Sequence, residues 1–172
     1  MPAIGHWAEG PYVAACALLA FAGITKLARP LPTRTAAHAI NLPAGTFAVA
    51  ALALSEIALG TVGAWFGGGA ALSVAAFYLL LAAAIMRLLR RAPSTPCGCL
   101  GGRESLPSRL HVLINLSAAA CALLAATAGR PLADLAGKPL TASVFVVLVV
   151  VAVALTSLVT DALASLDQEG AS

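Results

Sequence analysis

The sequence predicts an all-α membrane protein, and three observations carry the prediction. The 172-residue chain is 60% hydrophobic and only 10% charged, where a soluble domain carries about 25% charge. Its mean hydropathy is +0.95. Its apolar residues fall into five runs of about 18 to 22 residues, each long enough to cross a bilayer at about 1.5 Å per residue. Alanine is abundant and aromatic residues make up 5%. Small side chains let helices approach closely in lipid, where water does not drive them together. The net charge of +3 sits in short loops between apolar runs. It is a topology signal rather than a sign of nucleic-acid binding.

The first run covers residues 11–28, with Pro11 in the first turn, where a missing N–H costs nothing. The preceding segment holds Glu9 and no Lys or Arg. It therefore lacks the basic start of a cleaved signal peptide, and a retained helix is expected. The second run is 45–66. Gly67-Gly68-Gly69 then gives a tight connection to the third, 70–89, which ends in Arg90, Arg91 and Pro93. The fourth run is 110–128, closed by Arg130-Pro131, and the fifth is 140–160. Residues 144–153 are almost all Val, Leu and Ala, as expected of a lipid-facing helix at the edge of a bundle. A short polar tail, 161–172, follows. Residues 29–44, with Pro30, Pro32 and Pro43, and 92–109, with Pro93, Pro96 and Pro107, are expected as long loops.

With five spans, those two loops share one face of the membrane. Lys26, Arg29, Arg34, Arg87, Arg90, Arg91, Arg103 and Arg109 lie near it, against Arg130 and Lys138 opposite. The positive-inside rule then places both loops in the cytoplasm and the N-terminus outside. Trp7 and His38 read as interfacial.

Chemistry is concentrated in Cys97-Gly98-Cys99. A thiolate needs exposure and a positive potential to act in disulfide exchange, and Arg90, Arg91 and Arg103 flank this loop. Gly98 lets the backbone bend between the two sulfurs. A redox relay, half of a metal clip and two incidental loop cysteines are all open readings; no second Cys or His pair lies near enough in sequence to complete a zinc site. Glu56 stands in the middle of the second run, where an ionised carboxylate is costly and needs a proton or a partner. It lies about ten residues, or about 15 Å, from its helix end. Lys26 therefore meets it only by bending inward or through a wet bundle. Glu56 is a proton carrier or head-group ligand on one reading and a hydrogen-bonded hub between helices on the other. Asn115 is expected to hydrogen-bond across helices, and His111, nearer the loop, to assist thiol chemistry as a base or to be incidental. Cys16 and Cys121 read as core packing or as a second pair passing electrons toward a quinone.

These residues fall into a pattern. Gly23, Lys26, Leu27 and Pro30 mark the end of the first run, Pro43 follows, and Glu56 and Gly60 sit in the second. Cys97-Gly98-Cys99-Leu100-Gly101 follows the third, and Asn115 opens the fourth. The pattern resembles the MauE family of methylamine utilisation proteins, related to DoxX-like membrane proteins, over residues 10–128. The resemblance implies a four-helix transmembrane bundle, with residues 140–160 as an additional C-terminal helix. It also implies a thioredoxin-like partner, a part in maturing disulfide-rich proteins, and an outline similar to quinone-coupled disulfide-forming enzymes. Carried over by position, Cys97 and Cys99 become the redox pair, with Lys26, Glu56 and Asn115 as a polar framework. The chain departs from the family in carrying Ile114, where an Arg usually precedes the Asn.

The leading expectation is thiol–disulfide exchange through Cys97 and Cys99, with quinone as the candidate cofactor and no metal. The charge bias places that loop on the reducing side of the membrane, whereas oxidation of exported proteins needs the other. The alternatives are a non-catalytic scaffold or maturation factor, and a membrane-embedded enzyme or carrier for a small lipophilic molecule using Glu56 and Lys26.

Overall fold

The computed structural model describes residues 3–98 and 106–127. Cys99, Arg103, the fifth apolar run and the polar tail lie outside the described residues. Within them the protein is all-α, with α1 (Ala3–Ala28), α2 (Pro30–Ala39), α3 (Thr46–Phe66), α4 (Gly68–Arg91) and α5 (Arg109–Ala125). Three segments are long and apolar enough to span a bilayer: Gly10–Ala28 of α1, Thr46–Phe66 and Gly68–Arg91. The chain is a multi-span membrane protein. At 17 residues, α5 is about 25 Å long.

Neighbouring helices run antiparallel in a closed ring. The contact between α1 and α3 is the most extensive, followed by α4 with α5, α1 with α5, and α3 with α4. Glycine makes the first contact close. A Cβ on Gly60 would stand 2.5 Å from the Cys16 carbonyl oxygen, and one on Gly23 2.5 Å from that of Ala53. No side chain fits at either place, so the helices meet backbone to backbone. Buried tyrosines tie the helices further: the Tyr12 hydroxyl donates to Gly63 O at 2.8 Å, and that of Tyr78 donates to Ala15 O. Cys16, fully buried, packs beside Gly63, and Cys121 is half-buried on α5. The two form no disulfide.

Gly67 ends α3 and opens α4 at φ 58°, followed by Gly68 at φ 48°. Both lie in the left-handed region that glycine enters without strain. The expected tight connection is therefore a two-glycine reversal. Trp65 and Phe66 are exposed beside it, at the level where aromatic side chains meet lipid head groups. At the other terminus of the chain, α1 begins at Ala3 and runs through Pro11 rather than starting there.

The expected loop over residues 29–44 is largely helix. Pro30 and Pro32 occupy the first turn of α2, where no intrahelical donor is needed. They read as loop signals in sequence and act as helix starters in the fold. The amphipathic α2 buries Thr33 and Ala36 and contacts α1, α3 and α4, so it closes one end of the bundle. The cysteine segment runs beneath it. Cys97 is 4% exposed and packs with Ala36, Ile40 and Leu88. Gly98 has φ 63°, and a Cβ there would lie 2.7 Å from the Thr33 backbone nitrogen. Its lack of a side chain serves this close approach to α2, rather than mobility between two sulfurs.

Candidate functional site

The site is built at the closed end of the bundle from one residue of α1 and one of α3. Lys26 Nζ lies 2.9 Å from Oε1 and 2.8 Å from Oε2 of Glu56. Both side chains are sealed from solvent, at 3% and 0% exposure. The direct pair forms because the helices are offset. A Cβ on Gly23 would lie 3.1 Å from Glu56 Cβ, so Glu56 is level with Gly23. That level is three residues, or about 4.5 Å, from Lys26 along the helix axis. Side chains lean toward the N-terminus of their helix, which carries the lysine ammonium back to this level. Counting residues from the end of α3 overstates the gap, because the first turn of α3 extends past the end of α1.

An uncompensated charge here would be costly, and the pair offsets much of that cost. A two-pronged contact to both carboxylate oxygens is the stronger, charge-assisted kind of hydrogen bond.

Lys26 also lines a cavity of about 50 Å³ between α1, α4 and α5, together with Leu19, Tyr78, His111, Ile114 and Asn115. His111 is 4% exposed. Ser108 caps α5 by accepting from the His111 backbone N–H at 3.3 Å, and its hydroxyl lies 2.8 Å from His111 Nδ1. These contacts fix the imidazole at the cavity wall. Asn115 donates Nδ2–H to His111 O, one turn back on its own helix, at 2.7 Å. That bond lies within α5 and uses one of the two amide N–H groups. The structure brings together Lys26, Glu56, His111 and Asn115 at one end of the bundle. Tyr78 and Ser108 belong to the same group and were not singled out from sequence. A tyrosine inside an apolar run, and a serine just before one, are the signals that mark them.

The family model for Methylamine utilisation protein MauE matches residues 6–128. The chain belongs to the MauE family. The match takes in nearly all of α1 and the whole of α2 to α5, so every residue of the cavity lies within the MauE region. No curated protein and no solved structure matches the chain.

Within this MauE fold the expectation of thiol–disulfide exchange is overturned. A reactive thiolate needs access and a positive potential. Cys97 instead sits at 4% exposure in an apolar cluster beneath α2. Among the described residues no group of three or more His, Cys, Asp or Glu converges. Buried charge and hydrogen-bonding groups gather around Lys26 instead. His111, read from sequence as a base for the thiols or as incidental, lines the Lys26 cavity. At about 50 Å³, the cavity is about a third the size of a dry cavity that binds a benzene ring. It has room for a few waters or one small polar head.

Proposed function

We propose that the protein is a membrane-embedded binding factor that holds the polar head of a small lipophilic molecule beside Lys26, without redox chemistry. The observation that carries this reading is the sealed Lys26–Glu56 pair, whose lysine lines a cavity that also presents His111 and Asn115. A buried ion pair is a poor way to gain stability, since apolar side chains of similar volume do as well or better. An intramembrane ionisable pair next to a polar cavity is better accounted for by a ligand. The head enters the cavity and the tail lies along the apolar helix faces, including Leu18, Leu19 and Ile114. In this role the protein serves as a carrier or as a factor in maturing a partner. The resemblance implies a thioredoxin-like partner, and buried Cys97 lends it no support.

The reading includes an arrangement in the membrane. Residues 10–128 form a four-helix transmembrane core, residues 140–160 add a fifth span, and residues 161–172 are a polar tail. The closed end bearing α2 faces the cytoplasm and the N-terminus lies outside. The support is charge: Arg29, Arg34, Arg87, Arg90, Arg91 and Arg109 lie at or next to helix ends on that side.

The test is to purify the wild-type protein and the double variant Lys26→Met/Glu56→Leu from membranes. Mass spectrometry of extracted small molecules compares what each carries. The wild type carries a lipophilic species that the folded double variant lacks. An identical set of species on both proteins refutes the reading. For orientation, single-cysteine variants at exposed Arg91 and Gly69 are treated with an impermeant maleimide on intact cells. Position 69 labels and position 91 does not; the reverse pattern inverts the topology.

A further inference from the structure

The closed end carries a second feature that the Lys26 pocket does not use. A groove of about 750 Å³ opens between α2 and the start of α3, lined by Leu31, Arg34, Thr35, His38, Ala44 and Gly45. Arg34 is half-buried and donates its Nε–H to Ala44 O at 3.0 Å, which sets the plane of the guanidinium in the groove wall. His38 is exposed one turn further along α2. Thr35 donates its hydroxyl to Leu31 O, so the basic side chains supply the groove's charge-matched donors. Leu31, 69% exposed, lines it, and Phe47 in the first turn of α3 is 87% exposed. This is the composition of a surface lying at the boundary between acyl chains and head groups.

Charge identifies the occupant. The acidic residues among those described are Glu9, at the far end of α1, and Glu56, which Lys26 engages. The arginines of the closed end therefore meet no carboxylate among the described residues. Among them, Arg34 lines the groove. A guanidinium matches a phosphate through two parallel N–H contacts, and clusters of basic residues at a membrane end attract anionic lipids.

We infer that the groove between α2 and α3 is a binding site for the phosphate head group of an anionic phospholipid, held by Arg34 and His38, with the acyl chains alongside Leu31 and Phe47. The site is separate from the Lys26 cavity, and its test does not depend on that reading.

The full-length protein in detergent is titrated with phosphatidylglycerol or phosphatidylcholine, and lipid retention is read by native mass spectrometry. Phosphatidylglycerol is retained in preference to phosphatidylcholine. Arg34→Gln weakens phosphatidylglycerol retention by about tenfold, the scale of one charge-assisted contact, and Arg34→Lys restores part of the loss. His38→Gln, at an exposed position, weakens it severalfold and carries the test if Arg34→Gln does not fold. Inorganic phosphate at millimolar concentration leaves the lipid bound. Equal retention of the two lipids overturns the inference, as does unchanged retention in folded Arg34→Gln or in His38→Gln. Displacement by inorganic phosphate shows a free-anion site and also overturns it.

Discussion

Removing one member of the Lys26–Glu56 pair should destabilise the protein far more than removing both. The charged atoms are 2.8 Å apart. At an effective dielectric constant of about 20, that separation corresponds to about 6 kcal/mol of attraction. Desolvation of the two ions costs several kcal/mol each and offsets most of the gain. Lys26→Met leaves a carboxylate without its lysine partner at a position with no solvent access, and Glu56→Leu takes from the buried ammonium the carboxylate that engages it. Each single variant should lose about 3–5 kcal/mol. The double variant Lys26→Met/Glu56→Leu exchanges the pair for apolar side chains of similar volume and should fall within about 1 kcal/mol of wild type. The coupling energy of the cycle is then several kcal/mol, above the range of about 0.5–3 kcal/mol usual for contacting residues. Reversible unfolding in mixed micelles with increasing SDS, followed by circular dichroism, measures all four proteins. Single variants each costing under about 1 kcal/mol, or a double variant as unstable as the sum of the singles, would refute the reasoning. Either result would mean that water reaches the pair and screens it.

Other expectations concern the packing around the site. Gly23→Ala and Gly60→Ala each place a methyl 2.5 Å from a backbone oxygen and should cost about 3 kcal/mol or more as α1 and α3 are pushed apart. Gly69→Ala, which meets nothing within 4 Å, should be neutral or slightly stabilising in the same SDS unfolding assay. Gly98→Ala forces an L-residue to φ 63° against the backbone of Thr33 and should cost about 2–4 kcal/mol. Limited proteolysis should then cut near α2 sooner than in wild type. Cys97→Ser introduces a hydroxyl into an apolar cluster and should cost about 1–3 kcal/mol. In a protein whose sole cysteine is Cys97, maleimide should react quickly only after unfolding; rapid labelling of the folded form would contradict the burial.

Much of this architecture could be read from the chain because lipid imposes a simple rule on it. Residues 45–66 and 70–89 had to be helical, since a helix satisfies its own backbone polar groups in hydrocarbon. They match α3 and α4 to within two residues at each end. Glu56 and Lys26 stood out for the same reason, as charges where charge is expensive. Register is different in kind. It is set by where small residues let helices touch, so the level of Glu56 against Lys26 emerges only when Gly23 is seen against Ala53. Proline misled at α2 because its effect depends on position: it breaks a helix interior and favours a first turn. Cys97 misled because exposure is a property of what lies above a loop, and the covering helix is more than fifty residues earlier in the chain. His111 was placed near the right residues for the wrong chemistry, since its buried setting depends on the Ser108 cap and on α1 across the ring.

The seating of Gly98 under α2 has a consequence for biogenesis. The Lys26–Glu56 contact spans thirty residues and joins the first two long helices to emerge from the ribosome, α1 and α3. Those two charges can neutralise each other as soon as the α1–α3 hairpin enters the bilayer, before α4 has been made. The Thr33–Gly98 contact spans sixty-five residues, so this part of the inner face of α2 waits for its cover until α3 and α4 have been synthesised. Its docking onto Cys97 and Gly98 is a late event in assembly. A nascent chain stopped before residue 97 would therefore hold its ion pair, and the contacts of α2 with α1, α3 and α4, without the segment that seals Thr33.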